Sequence, residues 1–319
     1  MACFFTVMKR LGGRMRQFSL TVVYILIASS PWGFCVAADD PSDLVQLKAL
    51  GAEVTLVEGN ATNISFNDCS TLGEAEFQLI GQFRQQKSLV LHGQCKGLTD
   101  KTVPHLLELT NLETLSTDHM QITDKGLANF SRLTRLRVIS FFHPSYGMNG
   151  FNGQGFVALK DLPRLESLTI AGSPFNDKGM AAVGEITQLK HFRTWHTYQT
   201  QAGNQHLTKL TQLKSLWLGQ RLRRYDGRPN PLCLDDSTFD VLVQLKTLEA
   251  LTLNEARLSL TGLRRLSELP KLTKLVLMTI DVPAEDIEIL KTELPSVKIE
   301  WKPLTEVERE KLNAYLKKF

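Results

Sequence analysis

Cysteine is scarce in this 319-residue chain: five in all, with Cys3 and Cys35 inside the first 38 residues. The three that remain, Cys69, Cys95 and Cys233, are an odd set, which excludes a disulfide-built scaffold. A serine nucleophile elbow, a phosphate loop and an HExxH helix are all missing, so no familiar catalytic device is written into the chain. His191 and His196, in HFRTWH, would point to opposite faces of a strand, so they do not form a metal site. The sequence therefore implies neither metal nor cofactor. A surplus of one charge is absent too. Lys9, Arg10, Arg14 and Arg16 precede the first acid, Asp39; setting them aside leaves 33 basic against 33 acidic residues. That balance excludes nucleic acid as a general partner. An apolar run of membrane-spanning length, about 20 residues, is also lacking.

What opens the chain is a basic stretch, the apolar segment FSLTVVYILIA (18–28), the breaker Pro31-Trp32-Gly33, then Val36-Ala37-Ala38. This order reads as a signal peptide over 1–38, cut after Ala38. It predicts a secreted or periplasmic protein with no stable span after cleavage. An uncleaved signal anchor or a lipid on Cys35 is the alternative.

The rest is repetitive. The pattern G-L-x-x-L-x-x-L-x-x-L-x-x-L-x-L recurs as GLANFSRLTRLRVISF from Gly126, GFVALKDLPRLESLTI from Gly155 and GLRRLSELPKLTKLVL from Gly262. It also returns from Gly179, Gly203 and Thr238, and two looser copies start at Glu76 and Thr102. Apolar residues every three positions suit a helix packed on one side. The closing L-x-L suits a short strand with one buried face. One such unit cannot bury its apolar side alone, so the units must stack. Central strand positions fall at Ile64, Leu89, Leu115, Ile139, Leu168, Phe192, Leu216, Leu251, Leu275 and Val297, mostly about 24 residues apart. The turns between strand and helix read LTDKTV (98–103), ITDKGL (122–127), FNDKGM (175–180), LDDSTF (234–239) and LSLTGL (258–263).

On these motifs the chain resembles the leucine-rich-repeat family over Asn60 to Trp301. The likeness is to the subclass with I-T-D-x-G-L turns (ribonuclease-inhibitor-like, cysteine-containing type), found among secreted bacterial repeat proteins. The resemblance implies an α/β, right-handed horseshoe with a parallel concave sheet and convex helices. It says little about partner. Residues 39–59 read as an N-terminal cap with a short helix, 60–301 as about ten strands of repeat, and 302–319 as a closing helix. In that helix Thr305 and Glu308 match a capping box, and Val307, Leu312, Tyr315, Leu316 and Phe319 are expected to cover the last repeat. The resemblance also makes Cys69 and Cys95 reduced ladder residues rather than a disulfide.

A site is expected where bulky side chains interrupt an otherwise small-residue concave row. Arg193 and Trp217 fall on neighbouring strands in one row; Phe142 and Trp195 flank Ala171 in the next, which predicts a dip between two rings. His191 shares that face. His92 and Asp118 are expected to meet as a surface pair. Two insertions, HPSYGMNGFNG (143–153) and QRLRRYDGRPNPL (220–232), leave one edge and are expected to wall the Trp195 region. The second holds Arg221, Arg223, Arg224, Tyr225 and Arg228, a set suited to carboxylate, sulfate or phosphate. Tryptophan and arginine together make binding hot spots. The sequence thus predicts a non-enzymatic, exported module that takes a protein or peptide. The alternative is a receptor for carbohydrate or anionic glycan using the same patch.

Overall fold

The computed structural model describes residues 38–223 and 230–319. The expected signal peptide therefore lies outside the described residues, as do Arg224, Tyr225 and Arg228. The described residues start with a helix, Pro41–Ala49, whose first turn is held by the Asp40 carboxylate accepting the Ser42 N–H at 2.8 Å. Then comes β1 (Glu53–Val57), antiparallel to β2 (Asn60–Phe66). Glu58 and Gly59 join them, both at positive φ, as a tight hairpin turn needs. This hairpin was not expected: β1 is exposed along most of its length, and only Val54 packs against the core.

From β2 onward every pairing is parallel and every strand follows its predecessor. The order runs through β3 (Ser88–Leu91), β4 (Thr114–Asp118), β5 (Val138–Phe142), β6 (Ser167–Ala171) and β7 (His191–Trp195). It continues through β8 (Ser215–Gly219), β9 (Ala250–Arg257), β10 (Lys274–Asp281) and β11 (Lys298–Trp301). An eleven-stranded open sheet in sequence order, with helical segments between its parallel strands, is a leucine-rich-repeat solenoid of the α/β class.

The pairings align Ile64, Leu89, Leu115, Ile139, Leu168, Phe192, Leu216, Leu251 and Leu275 in one buried column. Its last member is Ile299, not Val297, because Leu275 pairs with Ile299. The ten-residue helix Ala284–Glu293 fills that return more fully than the earlier ones, and Val297 closes the turn ahead of β11. Stacking is what hides these columns. Burying one such side chain contributes roughly 1.5–3 kcal/mol, and a lone unit would leave half of each exposed.

The return side is made of short pieces. Four-residue α turns such as Val103–Leu106 and Gln201–Asn204 alternate with 3₁₀ segments such as Asn129–Arg132, Gln154–Leu159 and Gln205–Lys209. The reason is in the repeat itself. Leucines three apart match the three residues per turn of a 3₁₀ helix better than the 3.6 of an α-helix.

The T-D-x-G turns lock one repeat to the next. The Asp100 carboxylate accepts the Thr123 N–H at 2.8 Å and the Thr123 hydroxyl at 2.6 Å. Asp177 does the same for Thr200, at 2.7 and 2.8 Å. Glycine is required beside each carboxylate: a Cβ on Gly126 would sit 1.9 Å from Asp100 Oδ1, and one on Gly203 2.3 Å from Asp177 Oδ1. Threonine then caps the following turn.

Cys69, Cys95 and Cys233 are free and buried. A hydrogen bond with Cys69, together with burial, pushes the Cys95 thiol far up, and burial pushes Cys233 up to about 12.

The C-terminal helix, Glu306–Leu316, carries its capping box: Thr305 Oγ1 accepts the Glu308 N–H at 3.2 Å, and Glu308 Oε2 accepts the Thr305 N–H at 2.9 Å. Leu312 is buried, but Val307 is 58% exposed. The helix does more than cover the last repeat. It runs back along the edge where the strands exit, with Arg309 3.4 Å from Asp281, Asn313 bonded to Arg257, and Tyr315 bonded to the Arg221 carbonyl. Eleven helical residues span about 16 Å, enough to cross three strand spacings of about 4.8 Å.

Candidate functional site

Alternation on β5, β7 and β8 puts Phe142, Arg193, Trp195 and Trp217 on the side of the sheet away from the core. Ile139, Phe141, Phe192, Thr194, Leu216 and Leu218 face inward and are buried. The four outward side chains are half-buried and touch one another. Arg193 and Trp217 are direct register partners. The guanidinium carbon of Arg193 lies 4.3 Å from the Trp217 ring centre and 5.6 Å from that of Trp195, within cation–π range of both. The two indoles are themselves stacked, 5.0 Å apart at 23°. Gly219 makes this possible: a Cβ there would meet Trp195 Cβ at 2.5 Å.

The expected dip over Ala171 is not open. Phe142 and Trp195 close to 6.3 Å across it, and Ala171 is 2% exposed. Small residues between large ones let the rings lean together rather than stand apart. His92 meets the far side of Phe142 edge-on at 6.1 Å. The result is a row of rings from β3 to β8 with one cation at its C-terminal end.

That cation is unusual in its surroundings. Burial pulls its pKa below the ordinary arginine value. Among the described residues no carboxylate pairs with Arg193, and its Nε and the Trp217 Nε1 are sealed from solvent with no acceptor. A buried donor without an acceptor costs about 1–3 kcal/mol.

His191 is exposed at the start of β7, on the same face but in none of the ring contacts. Arg221 is corrected by the structure. It is 1% exposed, and its guanidinium donates to the Pro231 carbonyl at 3.0 Å and the Tyr198 carbonyl at 3.4 Å. It fastens the second insertion to the turn after β7 and is not presented to a ligand. Arg223 is exposed. Arg224 and Tyr225 are outside the described residues.

The first insertion does not wall Trp195. It is fastened to the repeats on both sides: Asn152 O accepts the Asn176 N–H at 3.1 Å, while Ser145 donates its N–H to Met120 O at 2.7 Å and its hydroxyl bridges the Ile122 main chain. The Asp124 carboxylate then collects the N–H groups of Asn152, Gly153 and Gly155. The second insertion does border the site: Leu222 donates to Thr197 O at 2.7 Å, two residues past Trp195.

His92 and Asp118 do not pair. His92 Nε2 takes Ser116 Oγ at 2.9 Å, and Asp118 turns to His119 and His143. That grouping escaped the sequence reading, although Asp118-His119 ends one strand and His143 sits at the matching place one repeat later.

No protein-family model and no curated protein sequence matches the chain. Among solved structures it is similar to an internalin (inlF) from Listeria monocytogenes str. 4b F2365. The identity is 16% over 83% of this chain and 96% of that one, with a TM-score of 0.37. It is also similar to an internalin C2 (inlC2) from the same source. There the identity is 12% over 76% of this chain and 93% of that one, with a TM-score of 0.43. Likeness at that level carries nothing about function. No helix of the described residues is long and apolar enough to cross a membrane.

Proposed function

We propose that the chain is an exported, non-enzymatic binding module that takes a protein or peptide on the sheet's open face. That face is the concave one in this architecture. The carrying observation is Arg193, a half-buried cation with no carboxylate partner among the described residues, lying against the stacked pair of indoles. A peptide carboxylate arriving there gains a charge-assisted bond, and its neighbouring apolar side chain meets Trp195, Trp217 and Phe142. The ordering of charge, apolar run and small residues before Asp39 supports export. The paired Asp100–Thr123 and Asp177–Thr200 locks support the subclass with I-T-D-x-G-L turns.

The glycan alternative is weaker on geometry. Sugars stack on free indole faces, and here the two indoles cover each other. The test pairs a displayed peptide library with a glycan array, each probed with the wild type and with Trp195→Ala/Trp217→Ala. Enrichment of acidic–aromatic peptides, lost in the double variant, is expected. Glycan binding lost in the double variant transfers the site to the alternative. Peptide binding unchanged by the double variant removes the site.

A further inference from the structure

We propose a first-row transition-metal site, of the zinc class, formed by Asp118, His119 and His143 at the exit of β4 and β5. It adjoins Phe142, the register partner of Asp118, but uses none of the side chains of the Arg193 patch. One ligand atom from each residue lies within 4.8 Å of the other two. Asp118 Oδ1 is 2.8 Å from His119 Nδ1 and 2.9 Å from His143 Nδ1, and the two imidazoles overlie each other at 4.6 Å. Two imidazole nitrogens and one carboxylate oxygen are a donor set suited to zinc, copper, nickel or iron, with room for water to complete the shell.

Hydrogen bonding alone leaves this cluster unfinished. His143 Nδ1 makes an acceptable hydrogen bond to Asp118 Oδ1. His119 Nδ1, though as close, is sealed from solvent and makes no hydrogen bond of any kind. A nitrogen lone pair buried beside a carboxylate and a second imidazole is what a cation would satisfy. Ideal zinc distances of about 2.0–2.1 Å need each imidazole nitrogen slightly further from Asp118 Oδ1 than it stands. Half-exposed His143 has the freedom to move.

The strand exits bring the two histidines side by side. His119 and His143 leave their strands at positive φ, 58° and 46°, as Gly172, His196, Glu255 and Thr279 do at the matching place in other repeats. Each remains tied to the ladder, His119 N–H to Phe142 O at 2.9 Å and His143 N–H to Ala171 O at 2.8 Å. The next repeat has Gly172 at the same place. A Cβ there would fall 2.4 Å from the His143 ring, so glycine leaves the imidazole its space. One repeat further, His196 occupies the matching position but binds Glu255 at 2.6 Å, and no second ligand joins it among the described residues.

The probe is Co²⁺ titrated into the full chain, followed by its visible d–d absorption and by competition with Zn²⁺. One equivalent is expected to bind, to be displaced by Zn²⁺, and to raise the thermal midpoint. His119→Ala, His143→Ala and Asp118→Asn should each weaken binding by 10-fold or more, on the order seen when a metal site's supporting groups are removed. His196→Ala should leave it unchanged. Circular dichroism without metal separates lost binding from lost fold, and exposed His143 is the safest substitution. Absence of binding by the wild type, or equal binding by His119→Ala/His143→Ala, overturns the site.

Discussion

Tyr315, four residues before Phe319, donates its hydroxyl hydrogen to the main-chain carbonyl of Arg221, 94 residues earlier. Its ring also meets His196 edge-on at 6.3 Å and Phe319 at 5.3 Å. The C-terminal helix is thereby tied to the insertion that borders the aromatic patch. Arg221 is fastened from both directions, since its guanidinium holds Pro231 and Tyr198 while its carbonyl holds Tyr315.

Tyr315→Phe removes that hydroxyl and leaves the Arg221 carbonyl one donor short. A net loss of about 1 kcal/mol is expected, or roughly fivefold more frequent opening of the C-terminal helix. Hydrogen exchange of residues 306–316 reads it directly, and exchange of β4 and β5 should not change. Unaltered protection of the helix would show that the tie contributes nothing.

The same helix has an acid limit. The Thr305 N–H, then Lys302 and the Thr305 hydroxyl, hold the Glu308 carboxyl at about 2, down from 4.5. A carboxylate lowered on folding stabilises above its unfolded pKa, and that contribution fades as pH falls through its folded one. The helix should therefore loosen between about pH 4.5 and 2. Following helix exchange across that window in the wild type and in Glu308→Gln is the check. The variant should show less protection at neutral pH and a flatter acid profile. An identical acid transition in both would assign it to other carboxylates.

The repeat-to-repeat lock makes a prediction about coupling. Asp177→Ala strands the Thr200 N–H and hydroxyl and should cost about 1–3 kcal/mol. Gly203→Ala drives a methyl into the Asp177 carboxylate and should cost at least as much. Combined, they should cost less than their sum, because the clash disappears with the carboxylate. Urea midpoints of the four proteins give the coupling. Strict additivity would mean that the methyl meets a different obstacle, such as Met180 Cγ, which is 3.2 Å away.

The fold was legible because one spacing carries it. Leucines repeating at about 24 residues fix strand, return and register together, and only Val297 was misplaced, at the end where no further strand disciplines the alignment. The strand β1 was invisible because its alternation runs over only four residues, Glu53 to Leu56, and Val54 alone of them packs against the core. The patch was legible as positions but not as contacts. Alternation puts Trp195 and Trp217 on one face, yet whether two rings stand apart or close over Ala171 depends on how they lean. Arg221 misled because a charge in an insertion suggests solvent, while its long side chain instead reaches main-chain carbonyls folded over it. His119 was missed because a left-handed residue after a strand turns its side chain out of the alternation on which the reading relied.

Gly219 offers the sharpest test of the patch itself. It is the position that lets Trp195 lie over β8 onto Trp217, and an added Cβ would come within 2.5 Å of Trp195 Cβ. Gly219→Ala should push the indole off its partner without touching the buried column, since Leu218 and Leu216 face the core. Two indoles stacked at 5.0 Å couple their transitions, so the wild type should show an exciton couplet in the far-ultraviolet circular dichroism, absent in Trp217→Ala and reduced in Gly219→Ala. Arg193 would then keep one ring instead of two. Losing a partly desolvated cation–π contact is worth about 1 kcal/mol, so peptide affinity should fall by roughly fivefold or more. A couplet and an affinity both indifferent to Gly219→Ala would mean that the stack is not what organises Arg193.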